Sequence, residues 1–178
     1  MNFYRVRTCF SYLYSMKTLY IIRHGKSSWE EARQRDHDRI LLPKGVKRTL
    51  KIGNFLKSRN IQADLIISSS ANRAYETAAI IAGVIDYPLN KIDKQASFYN
   101  AEDSTILDHL FSIDNEINSV MIFGHNPTFT NLANIFLGDI IDWMPTTAVL
   151  SINFATHKWE DLMLADKKKN FLVTPKML

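Results

Sequence analysis

The chain has 178 residues, of which 46% are hydrophobic and 22% charged, and its formal net charge is +4. This length suits one well-buried core and is too short for two ordinary domains. No apolar run approaches a membrane span, and no basic patch with interleaved aromatics indicates nucleic-acid binding. The single cysteine, Cys9, excludes an intrachain disulfide. We therefore expect a soluble, cytoplasmic protein that binds neither membranes nor nucleic acid.

Residues 1–15 differ from the remainder of the chain. They contain no acidic residue and several aromatic ones, together with Arg5 and Arg7. They also precede Met16, which itself resembles the start of a protein. We predict that residues 1–15 are a loosely ordered extension or a start-codon artefact, and that residues 16–178 form a single domain.

Apolar runs and amphipathic patterns alternate along the chain. Short apolar runs rich in β-branched residues predict strands over residues 18–22, 64–68, 120–123 and 148–154. Amphipathic patterns predict helices over residues 43–59, 71–85, 103–111 and 127–137, the last ended by Gly138. The lysines at 167–169 predict a solvated turn. Trp143 and Trp159 are expected to pack, whereas Trp29 could rim a site. Strands that alternate with helices indicate an α/β domain with a largely parallel sheet.

Three polar clusters each follow one of these strands directly. Arg23 and His24 follow the first strand, Arg73 lies just beyond the second, and His125 follows the third. In open α/β sheets, ligands bind at the carboxyl ends of the strands. We therefore expect the three clusters to form one site.

Two arginines and two histidines without a cluster of carboxylates indicate a site for a phosphoryl group. The guanidinium fork matches phosphate oxygens and stays charged. An imidazole can attack phosphorus to form a phosphohistidine, and nearby cations should lower its pKa and stabilise the transition state. No two histidines have metal-ligand spacing, and the chain has no Gly-x-x-x-x-Gly-Lys-Ser/Thr loop. We expect neither a metal nor a cofactor.

The motifs resemble those of the histidine phosphatase superfamily, which includes the phosphoglycerate mutases, and are most similar to its short SixA-type phosphohistidine phosphatase branch. The matching segments are Arg23-His24-Gly25, Asp36-x-x-Arg39-x-Leu41-x-x-x-Gly45, Ser68-Ser69-x-x-x-Arg73-Ala74-x-x-Thr77-Ala78, Gly124-His125-Asn126-Pro127, Pro145-Thr146-Thr147-Ala148 and Thr174-Pro175-Lys176. The similarity covers Met16 to about Pro175. It implies a three-layer α/β/α sandwich with a mostly parallel sheet.

The resemblance also implies roles for single residues. His24 would be transiently phosphorylated, Arg23 and Arg73 would clamp the phosphoryl oxygens, and His125 would donate a hydrogen bond to them. Arg39 would add a contact to the phosphoryl group, although it could instead form a surface ion pair with Asp36. Ser27 and Asn126 would line the pocket as further donors.

The chain departs from the family pattern in three places. Leu42 stands where a polar helix cap is common, and Pro43 would partly compensate. Ser70 replaces a common proline and could itself cap the helix that contains Arg73. The mutase-like members use a glutamate as general acid, but residues 98–101 here contain no carboxylate. The remaining candidates for a general acid are Asp36, Asp38 and Glu102.

The missing glutamate bears on the substrate. An alkoxide leaving group needs a proton donor, whereas imidazole, with a conjugate-acid pKa of about 6.5, needs little help. The sequence therefore favours a phosphatase that acts on a phosphohistidine-containing protein. A small-molecule phosphomonoesterase or mutase-like enzyme is the alternative, and an inactive module that binds phosphorylated partners is another. The sequence does not indicate the oligomeric state.

Overall fold

A six-stranded sheet forms the centre of the computed structural model, which describes residues 16–28, 35–138 and 140–178. The strands are β1 (Lys17–Arg23), β2 (Leu65–Ser69), β3 (Asp93–Gln95), β4 (Ser119–Gly124), β5 (Val149–Phe154) and β6 (Lys167–Val173). Their order across the sheet is β3-β2-β4-β1-β5-β6. The proposed extension over residues 1–15 lies outside the described residues, so that expectation stays a prediction.

The sheet is parallel over most of its width, as the sequence predicted. β1 pairs in parallel with β4, β4 with β2 and β2 with β3, whereas β5 is antiparallel to β1 and β6 to β5. The register pairs Arg23 with Gly124 and Ser68 with Phe123. Because these residues end parallel strands, the polar clusters that follow them begin side by side at one edge.

Helices cover both faces of the sheet and complete the three layers. They are α1 (Pro43–Ser58), α2 (Asn72–Val84), α3 (Asp103–Phe111) and α4 (Thr128–Leu137). Successive side chains of a strand point to opposite faces. Leu19 and Ile21 accordingly pack in the core beneath α3 and α4, whereas Tyr20 and Ile22 pack in the core beneath α1 and α2. None of the helices within the described ranges combines the length and the apolar character that crossing a membrane requires.

The two strands β3 and β6 were not predicted. β3 has three residues and no fully buried side chain, so it carries no apolar signal. The prediction of a solvated turn at residues 167–169 was wrong, because Lys167 begins β6. These lysines lie at the edge of the sheet and are largely exposed. Lysines on an edge strand discourage pairing with another chain, but they remove the apolar pattern that identifies a strand.

The starts of α1 and α2 give different outcomes for the capping predictions. Leu42 is the N-cap of α1 and makes no side-chain capping bond, and Pro43 occupies the first turn as expected. The proposal that Ser70 caps α2 was wrong, because the N-cap is Ala71. The Ser70 hydroxyl instead lies 2.9 Å from Nε2 of His37. Ser70 thus joins the helix start to the segment that precedes α1.

Candidate active site

An open cavity of about 490 Å³ lies at the edge of the sheet where β1, β2 and β4 end. Eight of the residues proposed from the sequence line it: Arg23, His24, Ser27, Asp36, Arg39, Arg73, His125 and Asn126. Asp38 and Glu102 do not line it. The structure thus brings together the three polar clusters and the loop between β1 and α1.

Three elements hold the backbone at His24. Its N–H donates to the Gly124 carbonyl of β4 at 3.0 Å, and the N–H of Gly25 donates to Oγ1 of Thr77 in α2 at 2.9 Å. The N–H of Thr147 donates to the carbonyls of both Arg23 and His24 at 3.1 Å. Thr147 has a φ of 64°, which is rare for a β-branched residue and costs about 1–3 kcal/mol. The contacts from β4, α2 and Thr147 thus fix the backbone of Arg23, His24 and Gly25.

Two helix glycines test how closely α1 supports this loop. A Cβ added at Gly45 would lie 2.2 Å from the Lys26 carbonyl oxygen, whereas one at Gly83 would meet nothing within 4 Å. We expect Gly45→Ala to lower the free energy of unfolding by about 1–3 kcal/mol and to reduce activity, because the loop must move. Gly83→Ala should instead raise the free energy of unfolding by about 0.4–1 kcal/mol. Urea denaturation of both variants measures these effects, and a Gly45→Ala protein with wild-type stability would contradict the close approach.

The hydrogen bond of the His24 ring determines which nitrogen is free. Nδ1 lies 2.7 Å from the Gly25 carbonyl oxygen. Since a carbonyl only accepts, Nδ1 carries the proton and Nε2 keeps its lone pair. Burial, together with the charges of Arg73 and Arg23, lowers the pKa of His24 to about 3, although the bond to Gly25 partly opposes this shift. The imidazole is therefore neutral at pH 7 and can act as a nucleophile.

His125 lies beside His24, with ring centroids 5.0 Å apart. Its Nε2 is 2.9 Å from Oγ of Ser69, at the end of β2, and its Nδ1 is buried without a hydrogen-bond partner. Burial, with smaller contributions from His24 and Arg73, lowers the pKa of His125 to about 3. Two neutral imidazoles therefore lie together among the arginines.

These two histidines predict how stability changes with pH. Their folded-state pKa values of about 3 lie below the usual value of about 6.5. Between those values the unfolded chain binds more protons, so stability falls as the pH falls through this range. We expect a lower free energy of unfolding at pH 5 than at pH 7, and a smaller difference in the double variant His24→Asn, His125→Asn. Urea titrations at both pH values measure this, and an equal pH dependence in the two proteins would contradict it.

Asp36 joins two of the arginines. Its carboxylate accepts hydrogen bonds from Arg39 Nη1 at 2.7 Å and from Arg73 Nη2 at 2.9 Å, and its carbonyl accepts from Arg73 Nη1 at 2.5 Å. The Tyr99 hydroxyl donates to the same carboxylate at 3.0 Å. Partial burial alone would raise the pKa of Asp36, but the bonds from Arg39 and Tyr99 and the charge of Arg73 lower it to about 2. Among the described residues that line the cavity, Asp36 is the one carboxylate.

The arginines differ in their contacts. Arg39 forms the ion pair with Asp36 that the sequence allowed, but it is buried at the cavity, and its Nη2 also donates to Oγ of Ser27 at 2.9 Å. Arg73 is 6% exposed, and its Nε makes no hydrogen bond. Arg23 donates from Nη1 to the Met144 carbonyl at 2.7 Å. The Nδ2 group of Asn126 donates to this same carbonyl at 3.0 Å.

The candidate acids are poorly placed to donate a proton. A carboxylic acid with a pKa of about 2 is ionised at neutral pH, so Asp36 is an anion there. Asp38 is half-exposed and lies 3.2 Å from Nδ1 of His37. Glu102 is exposed at the start of α3, in a separate depression. The geometry therefore favours none of the three as a general acid.

Sequence reasoning missed several residues at the site. Trp143, which was expected to pack, is 55% exposed and lies with its ring 5.2 Å from the Arg23 guanidinium. Tyr99 contacts Asp36, and Lys26 and Arg48 line the cavity. Arg48 could have been found from its position on the polar face of α1, but Tyr99 follows a strand too short to detect. Trp29 lies outside the described residues, and Trp159 is fully buried as expected.

A cavity with a neutral imidazole and several fixed cations has the composition of a phosphoryl-binding site. Its cationic side chains are Arg23, Lys26, Arg39, Arg48 and Arg73. Across the described residues, no three histidine, cysteine, aspartate or glutamate side chains are grouped so as to hold a metal ion. The fold and the site together define a protein of the phosphoryl-transfer class.

Comparison with known proteins identifies the family. The model of the histidine phosphatase superfamily (branch 1) matches residues 19–95. An uncharacterised chloroplastic protein of Arabidopsis thaliana is 30% identical over 153 residues, which are 82% of this chain and 70% of the relative. This chain belongs to the histidine phosphatase superfamily, and that membership supports phosphatase activity.

Solved structures of SixA proteins share the fold. The SixA protein of Agrobacterium tumefaciens superposes with a TM-score of 0.75 at 25% identity, covering 89% of this chain and 98% of that chain. The protein histidine phosphatase SixA complexed with tungstate gives a TM-score of 0.77 at 20% identity, covering 90% of this chain and 98% of that chain. The three-layer SixA-type fold inferred from the sequence is thus confirmed.

Proposed function

We propose that this protein is a metal-independent protein phosphohistidine phosphatase that forms a covalent intermediate on His24. The observation that carries the proposal is the state of the His24 ring. Its proton is held on Nδ1 by the Gly25 carbonyl, and its neutral Nε2 belongs to a cavity lined by cations. A neutral imidazole with a fixed tautomer is prepared for attack on phosphorus without a separate base.

The reaction proceeds in two displacements. The Nε2 lone pair of His24 attacks phosphorus, and the bond between phosphorus and the substrate imidazole breaks. The leaving imidazole takes a proton from water. Water then attacks the phosphorylated His24, inorganic phosphate leaves, and the neutral imidazole returns. Arg23, Arg73 and Arg39 stabilise the charge on the equatorial oxygens during both steps, and His125 donates a hydrogen bond to them. Ser27 and Asn126 complete the lining.

Among the described residues, none of the three candidate acids is placed to donate a proton, and this supports phosphohistidine as the substrate. Asp36 is ionised, and neither Asp38 nor Glu102 lines the cavity. An imidazole leaving group, with a conjugate-acid pKa of about 6.5, departs without a strong acid, whereas an alkoxide does not. The fold shared with a protein histidine phosphatase agrees with this choice.

A substrate panel tests the proposal. Protein from Met16 onward is incubated in chelator with a phosphohistidine-bearing transfer protein and, separately, with sugar phosphates, phosphoglycerates and phosphoserine. We expect rapid loss of phosphate from the transfer protein and slow turnover of every ester, with His24→Ala inactive on all of them. Fast turnover of one ester with the transfer protein untouched would instead establish a small-molecule phosphatase or mutase. Tight binding of the phosphorylated protein without turnover would establish a binding module.

A further inference from the structure

α1 carries a row of basic side chains beside the cavity. Lys44, Lys47, Arg48 and Lys51 have the spacing that places residues on one face of a helix, and we call them the basic ridge. The three lysines are exposed and Arg48 is half-buried. Together with Pro43 and Pro175 they line a shallow depression of about 520 Å³.

The basic ridge is continuous with the active-site cavity. Arg48 lines both the depression and the cavity, so the positive charge extends outward from the phosphoryl-binding region. None of the ion pairs formed within the described ranges involves a residue of the basic ridge. Lys51 donates to the Pro175 carbonyl at 3.4 Å, which leaves its charge without a carboxylate partner among the described residues.

The row of like charges does not stabilise α1. Like charges three and four residues apart repel each other, and a lysine in the first turn opposes the helix dipole. Lys44 lies in the first turn of α1, which contains no acidic residue. Among the described residues no carboxylate pairs with this row of charges, which disfavours its own helix and suits an anionic partner.

The length of the basic ridge decides the kind of anion. From Lys44 to Lys51 the helix axis rises by about 10 Å, at about 1.5 Å per residue. Arg48 lines the cavity that contains His24, whereas Lys44, Lys47 and Lys51 do not, so a small phosphoester confined to the cavity would leave the three lysines unused. An extended polypeptide advances about 3.3 Å per residue, so three or four acidic residues would span the row. Lysine ammonium groups are compact and mobile, which suits several separate carboxylates better than one planar anion.

We propose that the basic ridge docks an acidic segment of the phosphoprotein substrate, adjacent in that protein to its phosphohistidine. The inference rests on the proposed function and adds how the substrate is selected. Carboxylates of the segment pair with Lys44, Lys47 and Lys51, while the phosphoryl group lies among the arginines of the cavity. The rims of such interfaces contribute mainly to association rate and specificity.

Two matched peptides test this inference. Both carry one central phosphohistidine, one with four flanking Asp and Glu residues and the other with Asn and Gln in their place. We expect the wild type to dephosphorylate the acidic peptide with a kcat/KM about three- to tenfold higher at low salt, a preference that added salt removes. Lys44→Glu, Lys47→Glu should lose this preference and leave free N-phosphohistidine turnover unchanged. Arg48 is not replaced, because it lines the cavity.

The matched control is Lys91→Glu, Lys168→Glu, which changes the net charge equally. The site lies where the parallel strands end, whereas these two lysines lie where the strands begin. Lys91 precedes β3. Lys168 pairs with Asn153 of β5, which in turn pairs with Thr18 at the start of β1. Both exposed lysines therefore lie at the edge of the sheet away from the site. The control should keep the wild-type preference. An equal loss in the control would show long-range steering by net charge and overturn the docking proposal.

The remaining outcomes separate the two proposals. Equal turnover of both peptides by the wild type would overturn the docking inference and leave phosphohistidine hydrolysis standing. No turnover of either peptide, alongside fast turnover of an ester, would overturn the proposed function and with it the docking inference. A loss confined to a small bisphosphate substrate in Lys44→Glu, Lys47→Glu would assign the basic ridge to a second phosphate, which would also overturn it.

Discussion

Replacing His24 with alanine is expected to abolish the phosphoenzyme and to lower kcat by a factor of about 10⁴ or more, as loss of a catalytic nucleophile does elsewhere. The neutral Nε2 of His24 has no substitute of equal placement, because the neighbouring His125 has its Nε2 engaged with Ser69. The phosphoenzyme is measured by rapid quenching with radiolabelled substrate under alkaline conditions, which preserve the N–P bond. Peptide mapping then identifies the modified residue.

His157→Ala is the matched control for this experiment. His157 is exposed and does not line the cavity. This variant should form the phosphoenzyme as fast as the wild type, and its free energy of unfolding should lie within about 0.5 kcal/mol of the wild-type value. A labelled residue other than His24 in the wild type, or undiminished labelling of His24→Ala, would show that the nucleophile has been assigned wrongly.

Arg73→Ala should give the second-largest loss, a decrease in kcat/KM of about 10²- to 10³-fold, which is typical when one preorganised donor is removed. The change removes a buried guanidinium that faces the cavity and also deprives Asp36 of two hydrogen bonds. The pKa of Asp36 should therefore rise from its value of about 2. Arg73→Lys should recover only part of the loss, because an ammonium keeps the charge but not the planar fork.

Steady-state kinetics and inhibition by tungstate measure this effect. Tungstate should bind Arg73→Ala more weakly than the wild type, because the oxyanion loses a bidentate partner. Arg59→Ala serves as the control, since Arg59 lies over the Phe55 ring at the end of α1, away from the cavity. A kcat/KM for Arg73→Ala within threefold of the wild-type value would show that Arg73 does not bind the phosphoryl group.

The sequence predicted the inner part of the sheet and all four helices. The central strands are apolar because both of their faces are buried, so their signal is local and strong. Helices α1 and α4 each show one apolar face. α4 also ends at a recognisable residue, Gly138, which has a left-handed conformation with a φ of 66°. β6 could not be predicted in this way, because an edge strand with exposed lysines is defined by its partner β5 rather than by its own residues.

The candidate site was predictable where topology alone determines position. Arg23, Arg73 and His125 meet because they follow parallel strands that share one edge. The Arg39–Asp36 pair was one of the alternatives that the sequence offered, but the contacts of Asp36 with Arg73 and Tyr99 join segments far apart in the chain and could not be predicted. The same is true of Trp143, whose exposed ring covers Arg23 through a segment that has no regular pattern. Local patterns thus predict which residues gather, but not which of them pair.

The position of Asp36 has a consequence for ordinary anions in the cell. Before a substrate arrives, its carboxylate already compensates part of the positive charge of Arg39 and Arg73. Chloride or bicarbonate must therefore compete with a resident carboxylate that is covalently tethered and present at high effective concentration. A phosphoryl dianion, with more charge and more oxygen acceptors, is better able to draw the guanidinium groups toward itself. We therefore expect the carboxylate of Asp36 to weaken the binding of monovalent anions more than the binding of a phosphoryl dianion.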